Sequence, residues 1–114
     1  MAGLSIPLLT HVEVEREQKS KSLQDVMEAV SRYYSVSVAD MIGQSRVREI
    51  LIPRQIVMFL CKKYLRMSQT RIGELFSGRD HTTVLHACRQ IASLRESTPQ
   101  IQHDFAFLLQ VLRS

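Results

Sequence analysis

Two apolar helical repeats meet across a short polar turn, and this junction constrains the fold of the chain more than any other feature. Before the turn, Ile72, Leu75 and Phe76 give a helix from Gln69 to Phe76 an inward face, with Ser68 placed to cap it. After it, Val84, Ala87, Cys88, Ile91 and Leu94 recur at the spacing of one helical face. Between the two stand Ser77, Gly78 and Arg79. Gly78 is free to take φ > 0, as a sharp turn between helices often requires. Asp80 is a good N-cap, with its carboxylate in reach of the free N–H of Thr83. The whole reads as a helix-turn-helix. Its second helix opens with His81-Thr82-Thr83, which packing alone does not require. Short donors and methyl groups at an exposed helix start suit a helix that enters a DNA major groove by its N-terminal end.

The remaining periodicities are also helical. Strand signals are poor, with few β-branched alternations and no Asn-Gly or Asp-Gly hairpin turn. The spacing predicts a helix over Leu23 to Tyr34, capped by Ser22, with Leu23, Val26, Met27, Val30 and Tyr34 inward. A single turn from Val38 to Ile42 follows, capped by Ser37 and stopped by Gly43. Gln44 to Glu49 read as a polar, basic loop. The next helix is expected to open near Pro53, where a missing N–H is tolerated. Its broad apolar face, Ile56, Val57, Phe59, Leu60, Tyr64 and Leu65, marks it as the central buried helix, with Arg54, Lys62, Lys63 and Arg66 on the wetter side. The last helix has two registers: Ser97 as cap with Gln100 reaching back, or Thr98 as cap with Pro99 first. Phe105, Leu108, Leu109 and Leu112 close the core. The fold expected over residues 22–114 is thus one compact all-α domain of about six helices, similar to the Trp repressor class. Residues 1–21 read as a connector, partly helical from about Leu8 to Lys19.

Charge sharpens the picture. The net charge is +4 over 114 residues, but it is unevenly placed. Residues 1–43 carry four basic and six acidic side chains, net −2; residues 44–79 carry eight and two, net +6; residues 80–114 carry three of each. Basic charge is therefore concentrated just before the expected helix start at His81, which is the electrostatic footprint of a polyanion binder.

The run Gly78-Arg79-Asp80-His81-Thr82-Thr83-Val84-Leu85-His86-Ala87 resembles the signature of the C-terminal DNA-binding domain of the bacterial replication initiator DnaA. The likeness extends from Leu23 to Ser114 and includes Tyr33-Tyr34, Val38-Ala39-Asp40, Pro53-Arg54-Gln55, Ile72-Gly73 and Arg89. It implies sequence-specific binding of double-stranded DNA at replication-origin boxes. Asp80, His81, Thr82 and Thr83 match positions that read base edges in the family, and Arg46 matches an arginine that enters the minor groove. A narrow minor groove attracts arginine most strongly. Arg48, Arg54, Gln55, Lys62, Ser68, Arg71, Arg79 and His86 are the candidates for backbone contacts, which set register and much of the affinity. The loop around Arg46 departs from better-known members in carrying fewer arginines, with Ser45, Glu49 and Ile52 where basic or small polar residues are common. The resemblance also implies that ATP belongs to a separate ATPase domain, so no cofactor is expected here. Expected partners are double-stranded DNA, the other domains of the initiator and regulatory proteins, in a cytoplasmic, nucleoid-associated setting.

Other classes are less well supported. His81 and His86 stand five residues apart, so they do not share a helix face as i,i+4 metal ligands do. No Gly-x-x-x-x-Gly-Lys-Ser/Thr loop occurs. Neither catalysis nor a metal is expected. Cys61 and Cys88 lie in apolar helical patterns and read as free buried thiols. No apolar run approaches the roughly 20 residues of a membrane span, and the acidic balance of residues 12–17 argues against strong lipid contact by the connector. The alternative reading is a helix-turn-helix transcriptional regulator or a protein-interaction module.

Overall fold

Six helices joined by short connectors account for most of residues 22–114, the part of the chain that the computed structural model describes. They are α1 (Leu23–Tyr34), α2 (Val38–Ile42), α3 (Arg48–Lys63), α4 (Gln69–Leu75), α5 (His81–Ser97) and α6 (Pro99–Arg113), with no strand among the described residues. The connector expected over residues 1–21 lies outside them.

Local chemistry sets most of the helix ends. Ser22 and Asp25 form a capping box at α1: Asp25 N–H donates to Ser22 Oγ at 3.3 Å, and Ser22 N–H donates to Asp25 Oδ2 at 2.8 Å. Ser37 and Ser68 cap α2 and α4 through the N–H groups of Asp40 and Arg71. The last helix takes the second of its two registers. Thr98 is the N-cap and Pro99 the first helical residue. Ser97 ends α5 with its hydroxyl on Ser93 O, and Gln100 turns to Asp104 instead of reaching back.

One boundary differs from the sequence expectation. The central helix α3 begins at Arg48, so Arg48 and Glu49 are helical and Pro53 lies inside the helix. Proline there removes a single hydrogen bond, the one to the carbonyl of Glu49, on an exposed residue that water can serve. In return the added turn packs Ile52 against the core. Apolar burial offsets the one lost bond.

Around α3 the other helices assemble: it packs against α1, α2, α4 and α5, while α6 closes over α1 and α5. The core holds Val26, Val30, Met41, Ile56, Val57, Leu60, Ile72, Phe76, Val84, Ile91, Phe105 and Leu108, each at most 1 % exposed. Met58 is equally sequestered, although the helical pattern of α3 did not single it out. A helix flanked on several sides buries nearly its whole circumference, so the one-face rule fails. Tyr64, expected inward, sits at the end of α3 and is 46 % exposed. Arg54, expected on the wetter side, is 3 % exposed. Cys61 and Cys88 are free and buried, and burial pushes the Cys61 thiol up to about 12.

Asp104 is the second buried charged residue besides Arg54, and no sequence signal marked it. Its Oδ1 accepts from Tyr33 OH at 2.5 Å and Gln100 Nε2 at 2.9 Å, and its Oδ2 accepts from Tyr34 OH at 2.6 Å. The cluster ties α1 to α6. From α5, Arg95 covers the contact of Phe105 with Phe59 of α3, with its guanidinium 4.6 Å from the Phe105 ring centroid.

Candidate nucleic-acid interface

The turn between α4 and α5 is built by two αL residues in succession, Ser77 at φ 62° and Gly78 at φ 70°. A Cβ on Gly78 would meet nothing within 4 Å, so this glycine answers to conformation alone. Gly73 answers to space: a Cβ there would lie 2.1 Å from the Arg79 carbonyl oxygen. The close approach lets Arg79 N–H donate to Gly73 O at 2.8 Å, which clamps the turn onto α4.

This turn delivers the start of α5 to the surface. Asp80, His81, Thr82 and Thr83 are all exposed. Asp80 is the N-cap, but its carboxylate accepts from Thr82 N–H at 3.1 Å, not from Thr83 as the sequence suggested. Thr83 N–H donates to the Asp80 main-chain carbonyl instead. Asp80 Oδ1 also lies 3.0 Å from His81 Nδ1, with both side chains about two-thirds exposed, at 66 % and 63 %. That contact orients the imidazole while leaving its far nitrogen toward solvent. The hydroxyls and methyls of Thr82 and Thr83 face the same exposed helix end.

Behind the helix start, a groove of about 440 Å³ runs between α3 and α5. Arg48, Arg54, Gln55, Arg79, Thr83, His86 and Gln90 supply its polar lining. The fold thus brings together residues separated by up to 42 positions in sequence, most of them candidates already. Gln55 Oε1 is buried there without a protein partner. Gln90 is the addition that sequence reasoning missed. Its signal was available, since Thr83, His86 and Gln90 follow i, i+3, i+7 spacing on one face of α5.

The other candidates are more dispersed. Arg46 is exposed in the four-residue connector between Gly43 and Arg48. Arg71 is exposed in the first turn of α4, whose cap Ser68 holds its N–H. Lys62 is half-buried in the last turn of α3 and lies near Cys88 of α5, where its charge favours the thiolate against burial. Arg54 and Arg79 point their guanidinium groups inward to main-chain carbonyls. The physical reason is the carbonyl-rich end of α2, which lacks intrahelical donors. Among the described residues no group of His, Cys, Asp or Glu could hold a metal ion, and no helix is long and apolar enough to cross a membrane.

Comparison with known proteins agrees with this geometry. The family model described as bacterial dnaA protein helix-turn-helix matches residues 23–91. The chromosomal replication initiator protein DnaA of Laribacter hongkongensis is 47% identical over 93 residues, covering 82% of this chain and 19% of that protein. Among solved structures, a DNA replication initiation factor superposes with TM-score 0.69 at 33% identity, over 86% of this chain and 30% of the other. A replication initiator DnaA bound to AMPPCP and single-stranded DNA gives TM-score 0.65 at 30% identity, over 95% and 30%. The chain therefore spans about a fifth of the length of the curated relative it matches.

Proposed function

Since the chain belongs to the bacterial DnaA helix-turn-helix family, we propose that it binds double-stranded DNA sequence-specifically at replication-origin boxes and serves the initiation of chromosome replication. The observation that carries this reading is the capped, exposed start of α5, where His81, Thr82 and Thr83 stand free of the core beside a basic groove. In the major groove a threonine methyl meets the thymine C5-methyl, its hydroxyl donates or accepts, and His81 donates to a purine N7 or O6. Asp80 accepts from cytosine N4 with the capacity its cap leaves over. Arg46 reads the adjacent minor groove through its potential. Arg48, Gln55, Lys62, Ser68, Arg71 and His86 hold the phosphates and set register.

With one recognition helix and an asymmetric target, the domain binds as a monomer. ATP is bound elsewhere in the full-length initiator, and the nucleoid is where this domain acts. The test is titration of a duplex carrying the family's box against a scrambled duplex of equal composition, at several salt concentrations. A preference for the box, with affinity falling steeply as salt rises through counterion release, is expected. Equal affinity for the two duplexes at moderate salt removes the sequence-specific reading, and binding to neither duplex at low salt removes the DNA reading altogether.

A further inference from the structure

The end of α2 and the connector that follows it, which carries Arg46, are held by side chains from α3 and from the turn before α5. From α3, Arg54 Nε donates to Met41 O at 2.6 Å, Nη1 to Ser45 O at 2.8 Å and Nη2 to Asp40 O at 3.2 Å. From the turn before α5, Arg79 Nη2 donates to Gly43 O at 2.6 Å, while Nη1 is shared between Phe76 O at 2.8 Å and Ile42 O at 3.2 Å. Ser77 Oγ donates to Ile42 O at 2.6 Å. Every carbonyl from Asp40 to Gly43 is thus held, and so is that of Ser45. Arg46 follows directly, and Val47 is already the N-cap of α3. Arg46 is therefore one residue suspended between two anchored ones.

Two neighbouring guanidinium groups withdrawn from water, Arg54 buried and Arg79 half-buried, are an expensive way to stabilise a fold. Desolvation lowers the proton affinity of both, and Arg79 lowers that of Arg54 further. The carbonyl end of α2 offsets this through its partial negative charge, yet packed apolar groups of similar volume stabilise as well or better. What the arginines add is geometry: a set distance between the Arg46 connector and the helix-turn-helix turn.

We propose that Arg54, Arg79 and Ser77 are positioning residues for DNA reading, locking the Arg46 connector to the turn so that the minor-groove arginine and the recognition helix act as one rigid two-groove reader. The proposal rests on the reading of Arg46 given above. A preorganised connector reaches the groove without first being ordered, and that ordering is what a loose one must supply from its binding energy.

The experiment is a double-mutant cycle with the full chain, on the family's box flanked by an A·T tract. Arg79→Lys keeps the charge but loses the planar fork that spans several carbonyls. It should weaken binding about tenfold in the wild-type background and less than about twofold in Arg46→Ala, the coupling expected of residues acting through one another. Its salt slope should stay that of the wild type, because no charge is lost. Ser77→Ala, exposed and uncharged, reads the same cycle with about a threefold effect should Arg79→Lys not fold. Amide exchange at Gln44, Ser45, Arg46 and Val47 should quicken in Ser77→Ala while exchange in α3 and α5 is unchanged.

Equal losses in both backgrounds overturn the proposal and make Arg79 a direct phosphate contact. Unchanged exchange in the connector overturns it too. A wild type that ignores the box fails the functional reading itself, and a neutral Arg46→Ala fails the assignment of Arg46. Coupling absent while both of those hold fails the positioning role alone.

Discussion

Asp104 and Asp80 are the same residue type in opposite employment. Asp104, 2 % exposed, accepts from Tyr33, Tyr34 and Gln100, so its capacity is satisfied inside the protein. Asp80, about two-thirds exposed, caps one N–H and steadies His81, while the threonines beside it face solvent. A buried polar group needs internal partners or it destabilises the fold. A polar cluster that the fold does not need, yet holds in a defined geometry, is available to an outside ligand. The distinction separates what maintains this domain from what it offers to DNA.

The largest expected effect tests where that line runs within the helix-turn-helix itself. Gly73 lies in the motif but belongs with the structural residues, because a Cβ there would stand 2.1 Å from a main-chain oxygen. Gly73→Ala should destabilise the domain by about 3 kcal/mol or more, read from thermal or denaturant unfolding, as forcing an atom into a filled main-chain contact does. A cost below about 1 kcal/mol would mean that the α4-to-turn contact is soft.

Asp104→Leu comes next. It leaves the Tyr34 hydroxyl without its acceptor between α1 and α6, and should cost about 2–4 kcal/mol. The folded fraction should bind the box as the wild type does. A weakened box affinity at full folding would connect the two clusters and erase the contrast drawn above.

His81→Ala and Thr82→Ala are the mirror image. Each should leave stability within about 0.5 kcal/mol, as exposed sites do, and cost about 1–3 kcal/mol of binding on the box with little change on random DNA. Equal losses on both duplexes would move His81 to the class of backbone contacts.

The mildest effect concerns alkaline pH. The hydrogen bond to Asp104, then burial, pushes Tyr33 up to about 12, while burial and the same bond push Tyr34 higher still. Both pKa values are raised in the folded state, so the stabilisation is fully present below the ordinary tyrosine value of 10.0 and fades as pH climbs through about 12. Tyrosinate absorbance and helical circular dichroism should therefore change together above that range for these two residues. Ionisation of Tyr33 near 10.0 with helices intact would show that Asp104 does not hold it.

Most of the helical framework was legible because it depends on short-range chemistry. Ser22, Ser37, Ser68 and Asp80 cap by reaching two or three residues ahead, and Gly78 turns because its own backbone is free to. The exposed start of α5 was legible for the same reason, and the resemblance carried by Gly78 to Ala87 pointed to its family. The start of α3 was not, because a proline in the second turn is a local penalty that only the packing of Ile52 outweighs. Arg54 and Arg79 read as surface cations, since nothing near them in sequence announces the carbonyls they meet, up to 37 positions away.

Sequence by itself thus determined most of the helices and their caps, the helix-turn-helix and the residues presented at its tip, all matters of neighbours within about one helical turn. Only the tertiary structure decided which charges are buried, that Asp104 joins α1 to α6, and that two inward arginines tie the Arg46 connector to the turn. Burial and long-range hydrogen bonding depend on which elements pack together, and no periodicity along the chain records that partnership.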